Sequence, residues 1–150
     1  ENDEYGKVLN INTYTYNDKG LLERHVRDEV QNKDRRSYEY TYDDNDNCVK
    51  ELVYDYDDAL IAKVYRKYNE EGKMVETEEE DLDHYRKITL EYEGDLVVKN
   101  SILDRDGNLQ GWAEYSYNED GKENASREFI KDEVQPDHFR QLRETRYVRE

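Results

Sequence analysis

Three histidines, His25, His84 and His138, and one cysteine, Cys48, are the side chains best suited to act as base, nucleophile or soft metal ligand. Thiolate or imidazole catalysis needs a partner within hydrogen-bond reach. Zinc needs ligands in closely spaced pairs. Here each histidine falls in a different expected strand or turn, Cys48 has no base near it in sequence, and no nucleophile motif occurs. The 39 acidic residues would allow a carboxylate pair to be drawn almost anywhere. Such a pair therefore has no specificity, and solvated surface charge accounts for the acids. The expectation is a protein that is not an enzyme and holds no cofactor.

Hard-cation chemistry is the next possibility. Asp43, Asn45 and Asn47 imitate the first three ligands of an EF-hand loop. The sixth place, where that loop needs glycine, is Cys48, and the twelfth, where it needs an acid, is Tyr54. Asp104, Asp106 and Asn108 make a similar fragment. A tight turn selects the same residues without any ion, so no metal ligand is assigned.

The aromatic residues carry the remaining signal. There are 15 tyrosines and one tryptophan. Tyr14 and Tyr16, Tyr38, Tyr40 and Tyr42, Tyr54 and Tyr56, and Tyr115 and Tyr117 lie two residues apart, a spacing that puts paired rings on one face of a strand. Neighbouring strands would align these pairs into a band. One reading of the band is cross-strand packing in place of an aliphatic core. The other is an exposed platform for a peptide, protein or glycan, in which Tyr14, Tyr16, Tyr40, Tyr42, Tyr54, Tyr56, Tyr115 and Tyr117 are the candidate contacts. Trp112, on the other face by alternation, is the best candidate anchor.

Those rings need strands to hold them, and the turns show where the strands end. Tyr16-Asn17-Asp18-Lys19-Gly20, Tyr68-Asn69-Glu70-Glu71-Gly72, Leu103-Asp104-Arg105-Asp106-Gly107 and Tyr117-Asn118-Glu119-Asp120-Gly121 are copies of one unit. Asn or Asp braces the turn through its side chain, and glycine supplies the left-handed residue that closes a type I turn with a bulge. Asp46 stands where glycine is expected in the turn after Tyr42, and Asp57-Asp58 reads as a shorter turn after Tyr56. Residues 2–8 resemble a turn leading into a strand.

The strands expected between these turns are 8–16, 21–28, 35–42, 48–56, 60–68, 73–80, 85–92, 96–103, 108–117 and 122–130. A last one follows Pro136 and carries Phe139, Leu142, Tyr147 and Val148. Residues 73–80 are the weakest, because Glu76, Glu78, Glu79 and Glu80 crowd them; an edge position or poor order is expected. The fold class is all-β: an antiparallel meander of about eleven strands in a single twisted or curled sheet. A half-barrel is the expected form of curling, and full closure is not ranked against it. Residues 1–150 are read as a single β-hairpin repeat domain.

Composition bounds the partners. The net charge is −16, a field that repels phosphate backbones and anionic membranes, so nucleic acid is not an expected partner. Leu, Ile, Val and Phe make up 29 of the 150 residues. That poverty suits a thin fold with a partly covered face better than a thick core. No apolar run reaches transmembrane length, and a lone cysteine does not decide the redox compartment. Arg140, Arg143, Arg146 and Arg149 make 139–149 the basic segment; a solvated charged face is its default reading. Two sheet edges would also allow edge-strand oligomerisation or strand addition by a partner. Glu1 in the place of a methionine raises the expectation that an upstream segment, such as an export signal, has been removed.

The recurring Tyr-x-Tyr-Asp/Asn-x-x-Gly pattern resembles the YD, or RHS, repeats of bacterial secreted and surface proteins. Residues 14–20 and 115–121 carry the best matches, and Tyr40-Thr41-Tyr42-Asp43 and Tyr54-Asp55-Tyr56-Asp57 match in part. The resemblance implies strand arrays that form shells or scaffolds without being enzymes by virtue of the repeat. The functional expectation is a non-enzymatic binding or scaffolding module of a secreted, periplasmic or cell-surface bacterial protein, with a protein or glycan ligand. The alternative is a small acidic protein of immunity or antitoxin type, which would neutralise a basic partner in the cytoplasm.

Overall fold

The computed structural model describes residues 10–30, 34–132, 135 and 137–147. The turn read at residues 2–8, the strand start at Val8 and Leu9, and Pro136, Val148 and Arg149 lie outside the described residues. Eleven strands are present: β1 (Asn10–Tyr16), β2 (Leu22–Glu29), β3 (Asp34–Tyr42), β4 (Cys48–Tyr54), β5 (Leu60–Tyr68), β6 (Met74–Asp81), β7 (Tyr85–Glu93), β8 (Leu96–Leu103), β9 (Leu109–Tyr117), β10 (Glu123–Lys131) and β11 (Phe139–Arg146). They form a single open sheet in sequence order, with β1 at one edge and β11 at the other. The chain clusters into two units, Glu1–Gly72 with Glu79–His84, and Lys73–Glu78 with Tyr85–Glu150.

Six connections share one turn. In the first, the Gly20 N–H donates to the Asn17 carbonyl at 2.8 Å, and the Asn17 N–H donates across to the Leu21 carbonyl at 2.9 Å. The Asn17 side-chain oxygen accepts the N–H groups of Lys19 and Leu21. Asn69 and Asn118 brace their turns in the same way, as do Asp43, Asp55 and Asp104. The fourth position takes positive φ each time. Glycine supplies it at 20, 72, 107 and 121, and Asp46 and Asp58 supply it at φ 66° and 58°.

The turn between β4 and β5 is therefore a full copy running from Asp55 to Ala59, not a shorter turn at Asp57-Asp58. β4 ends at Tyr54, two residues before the expected boundary, and Tyr56 projects from the turn, 59% exposed. The register explains why. Counting three residues on from Asp55 puts Asp58 in the left-handed position, whereas counting from Asp57 would put Leu60 there.

β6 is an interior strand rather than an edge, and it is well formed. Lysines on the strands to either side offset its acids. Lys63 on β5 reaches Glu80 at 2.7 Å, and Lys87 on β7 reaches Glu76 at 3.0 Å. Thr77 between them is 7% exposed.

Just beyond the five-residue turns that follow β1, β3, β4, β8 and β9 the ladder steps over a residue. Tyr16 pairs with Leu22 but Thr15 with Arg24, Tyr42 with Cys48 but Thr41 with Lys50, and Tyr117 with Glu123 but Ser116 with Ala125. The same step follows the two-residue turn at Gly94-Asp95, where Tyr92 pairs with Val97 and Glu91 with Lys99. These are bulges. Among the described residues Ala113, 8% exposed, is the only buried apolar side chain, and the other buried positions are Ser37, Thr77, Ser101 and Gly111. The fold accordingly depends on cross-strand contacts and ladder hydrogen bonds more than on a core.

Candidate binding surface

Within the unit that contains β1–β5, Tyr14 pairs with His25 and His25 with Tyr38. Their rings stack in a row across three strands. Tyr14 and His25 are 4.6 Å apart and 6° from parallel, and His25 and Tyr38 are 5.4 Å apart at 16°. His25 Nε2 lies 3.0 Å from the Asn12 side-chain oxygen, which holds the imidazole upright in the row. Tyr14 ends the row and is 51% exposed. His25 belongs to this face, although nothing in its own segment marks it as aromatic. Only the register between β1, β2 and β3 places it there.

Tyr40 and Tyr42 continue the same face of β3. Burial raises the Tyr40 phenol above its ordinary value, with the Glu51 charge adding to the effect. Beside the row, Arg27, Glu29, Asp34 and Arg36 line a shallow depression of about 210 Å3, in which Arg27 pairs with Glu29. The face thus offers stacked rings flanked by charges of both signs.

The band of tyrosines does not run on into β4. Tyr38 pairs with Val53 and Tyr40 with Glu51, while Tyr54 pairs with Ser37. Tyr54 therefore sits on the opposite face, where its hydroxyl donates to Glu39 at 3.3 Å. Tyr56, in its turn, belongs to neither face.

A second role for tyrosine is a hydroxyl bracket between successive hairpins. Tyr42 donates to the Leu22 carbonyl at 2.8 Å, and Tyr68 to the Cys48 carbonyl at 3.2 Å. In the other unit Tyr92 donates to the Met74 carbonyl at 2.7 Å, and Tyr117 to the Val97 carbonyl at 2.6 Å. Tyr42, Tyr68 and Tyr117 are the last residues of their strands, and Tyr92 is the last but one of β7. The acceptors Leu22, Cys48 and Met74 open their strands, and Val97 is the second residue of β8. At Leu22, Cys48 and Val97 the acceptor is the residue at the bulge, where the regular ladder is interrupted. With Tyr16, these tyrosines recur every 24 to 26 residues, so the structural repeat is a pair of strands. Tyr16, alone among the five, makes no hydroxyl contact among the described residues and is 58% exposed. Tyr42 and Tyr117 are thus held by the fold, and burial pushes both phenols up.

In the unit that contains β7–β11, Tyr115 accepts a hydrogen bond from the Asn100 amide at 2.9 Å. Trp112 lies on the other face, as strand alternation requires. It stacks on Phe129 at 4.6 Å and meets Phe139 edge-on at 4.9 Å, and its indole N–H donates to Glu114 at 3.1 Å. Trp112 is therefore the centre of a three-ring cluster on β9, β10 and β11. Gly111, next to it, is required by close approach: a Cβ there would lie 2.6 Å from the Phe129 carbonyl oxygen.

The polar candidates are occupied by local structure. Asp43 accepts the Asn45 and Asn47 N–H groups and the Asn47 amide, which holds its carboxyl below the usual range. Asp104 accepts the corresponding groups of Asn108 and Asp106, with the same result. No group of three or more His, Cys, Asp or Glu side chains that could hold a metal ion occurs among the described residues. His84 lies beside Asp81, and Cys48 is within 3.6 Å of the Lys50 carbonyl and the Arg66 guanidinium.

No family model matches the chain, and no curated protein matches it. Among solved structures it is similar to a porin-like protein from Bacteroides uniformis, with a TM-score of 0.58 and 11% identity over 95% of this chain and 70% of that one. A protein of unknown function from Bacteroides fragilis superposes with a TM-score of 0.34 and 11% identity, covering 92% of this chain and 91% of that one. At this identity the first likeness shows the fold alone.

Proposed function

We propose that the chain is a non-enzymatic binding or scaffolding module of a secreted or envelope-associated bacterial protein, and that it engages a protein or glycan through its aromatic face. The observation that carries the reading is the Tyr14–His25–Tyr38 row, which ends in a half-exposed ring. Flat rings of this kind accept a sugar face or a peptide side chain at low entropic cost, and the charges of Arg27, Glu29, Asp34 and Arg36 can offer partners to ligand hydroxyls or amides. A bacterial envelope setting is supported by the fold shared with a porin-like Bacteroides protein. The YD-type turn units imply the same scaffold role.

The test is a screen of envelope polysaccharides and solubilised envelope proteins by calorimetry, repeated with Tyr14→Ala. Tyr14 is at the end of its strand row, so its removal leaves the hairpin brackets in place. The expected result is a ligand whose affinity falls about tenfold or more on loss of the ring, the scale of an interface anchor. Binding that is indifferent to Tyr14, Tyr40 and Trp112 substitution would refute the aromatic reading. The acidic alternative, supported by the charge of −16, predicts instead a basic partner whose association rate collapses with added salt.

A further inference from the structure

We propose that the cavity beside Tyr117 is a site for an alkylammonium group, the side chain of a lysine presented by a partner polypeptide. The cavity measures about 400 Å3, and Glu93, Leu96, Val98, Tyr115, Tyr117 and Asn118 line it. It opens beside the Gly94-Asp95 and Asn118–Lys122 turns. All of it lies in the unit that contains β7–β11, so it is separate from the Tyr14–His25–Tyr38 row and does not depend on that row binding anything.

The chain itself shows the contact one repeat earlier. The Lys73 ammonium stands 5.8 Å from the centroid of the Tyr92 ring, donates to the Gly94 carbonyl at 2.6 Å and pairs with Asp95 at 2.8 Å. Lys73 immediately precedes Met74, whose carbonyl accepts the Tyr92 hydroxyl. In the next repeat Tyr117 takes the place of Tyr92 and Val97 that of Met74, so Leu96 stands where Lys73 stood. The ring is kept, and an aliphatic side chain replaces the ammonium. Lys19 likewise reaches Asp46 on the following turn at 2.6 Å, whereas the Gly94-Asp95 turn has no lysine to send.

The polar groups left over select a cation. The Tyr117 hydroxyl is given to the Val97 carbonyl, and the Tyr115 hydroxyl accepts the Asn100 amide. The Asn118 side-chain oxygen is taken by the N–H groups of Asp120 and Lys122. Ser116 keeps a hydroxyl, but few other groups remain for a sugar. The Glu93 carboxylate, by contrast, is exposed and makes no ion pair among the described residues. Burial raises the phenols of Tyr115 and Tyr117, and the charge of Glu123 on β10 adds to both. A field of that sign draws a cation to the ring faces. Leu96 and Val98 match the methylenes of a lysine stem, whose head then lies between ring and carboxylate.

The probe is a lysine blocked at both backbone ends, titrated against the amide chemical shifts of the whole chain. The expected result is saturable shifts at residues 93–98 and 115–118, with a Kd on the order of 1 mM. Blocked norleucine, which has the stem without the ammonium, should not saturate. Glu93→Gln should weaken lysine binding about fivefold. Asp106→Asn, an equal charge change in the turn at the other end of β9, should leave it within about twofold. Leu96→Lys, which restores the arrangement at Lys73 and fills the site from within, should abolish binding. Lysine shifts that spread over the surface without saturating would overturn the proposal. So would equal losses from Glu93→Gln and Asp106→Asn, saturation by norleucine or by a neutral monosaccharide, or binding that survives Leu96→Lys. A preference of about tenfold for free pentylamine over the blocked lysine would also overturn it, by assigning the site to a small amine.

Discussion

Removal of a single oxygen tests the hydroxyl bracket. Tyr→Phe keeps the ring, its packing and the strand propensity, and deletes only the donor. At Tyr117 the hydrogen bond is 2.6 Å long, at Tyr92 2.7 Å, at Tyr42 2.8 Å and at Tyr68 3.2 Å. A neutral hydrogen bond contributes a net ~0.5–1.5 kcal/mol. The acceptor carbonyls at Leu22, Cys48 and Val97 sit at bulges, where the ladder offers no ready replacement. Water reaches half-buried groups in part, which keeps the loss near the middle of that range. Each of Tyr42→Phe, Tyr92→Phe and Tyr117→Phe should therefore cost about 1 kcal/mol, a fall in Tm of about 2–4 °C for a chain of this length. Tyr68→Phe, with the longest bond, should cost less. Tyr16→Phe is the internal control, since its hydroxyl has no partner among the described residues. It should change stability by less than about 0.5 kcal/mol in dilute solution. Urea midpoints measured at constant m-value provide the assay. If Tyr16→Phe cost as much as Tyr117→Phe, or all five were neutral, the bracket would be a bystander of ring packing. The phenols of Tyr42 and Tyr117 are raised in the folded state by burial. A group with a raised folded pKa contributes its stability below its unfolded value and loses it as pH climbs through the folded one. The wild type should thus lose stability in the alkaline range above pH 10, and the two Phe variants should lose less of it there.

The acid limb has the opposite sign. The carboxyls of Asp43 and Asp104 are depressed by N–H donors within their turns, chiefly Asn47 and Asn108. Their contribution is present above the unfolded carboxylate value and fades as pH falls through the folded one. Asp43→Asn and Asp104→Asn should flatten that limb in a urea titration below pH 4, because asparagine already performs the same brace at 17, 69 and 118. Gly121 sits at φ 72° in open space, so Gly121→Ala should cost about 1–2 kcal/mol from the backbone alone, and the reverse exchange, Asp58→Gly, should be neutral or stabilising by up to about 1 kcal/mol. Both are read from urea midpoints. Gly111→Ala drives a methyl into the Phe129 carbonyl. It should cost about 1–3 kcal/mol and shift Trp112 fluorescence as β9 and β10 part, whereas a neutral result would mean the two strands have room to move.

Much of this architecture is legible in the amino-acid order, because hairpin chemistry is local. Asn17 with Gly20, and Asn118 with Gly121, specify a turn type that fixes both flanking strands. Asp43 with Asp46 does so even without glycine. The boundary at Tyr54 failed to show because two Tyr-Asp pairs, Tyr54-Asp55 and Tyr56-Asp57, compete for the same role. The deciding fact, that Leu60 is a poor left-handed residue and Asp58 a better one, lies outside both pairs. The strength of β6 was hidden for another reason. Its glutamates look self-repelling along the strand, while Lys63 and Lys87, which offset them, come from the strands to either side. The aromatic band was read from spacing within strands, which cannot say which face of the next strand lines up. A bulge between Cys48 and Lys50 settles that, and sends Tyr54 to the other side from Tyr42. His25 entered the stack by register alone.

The two-strand period also bears on how the chain comes apart. Among the described residues the strands follow one another across the sheet in sequence order, and each bracket ties one hairpin to the hairpin before it. Such a ladder has low contact order and few long loops to close, so it should assemble quickly from any hairpin outward. Pulled from its two ends, it should yield in steps of about 25 residues, each step ending where a tyrosine lets go of a carbonyl.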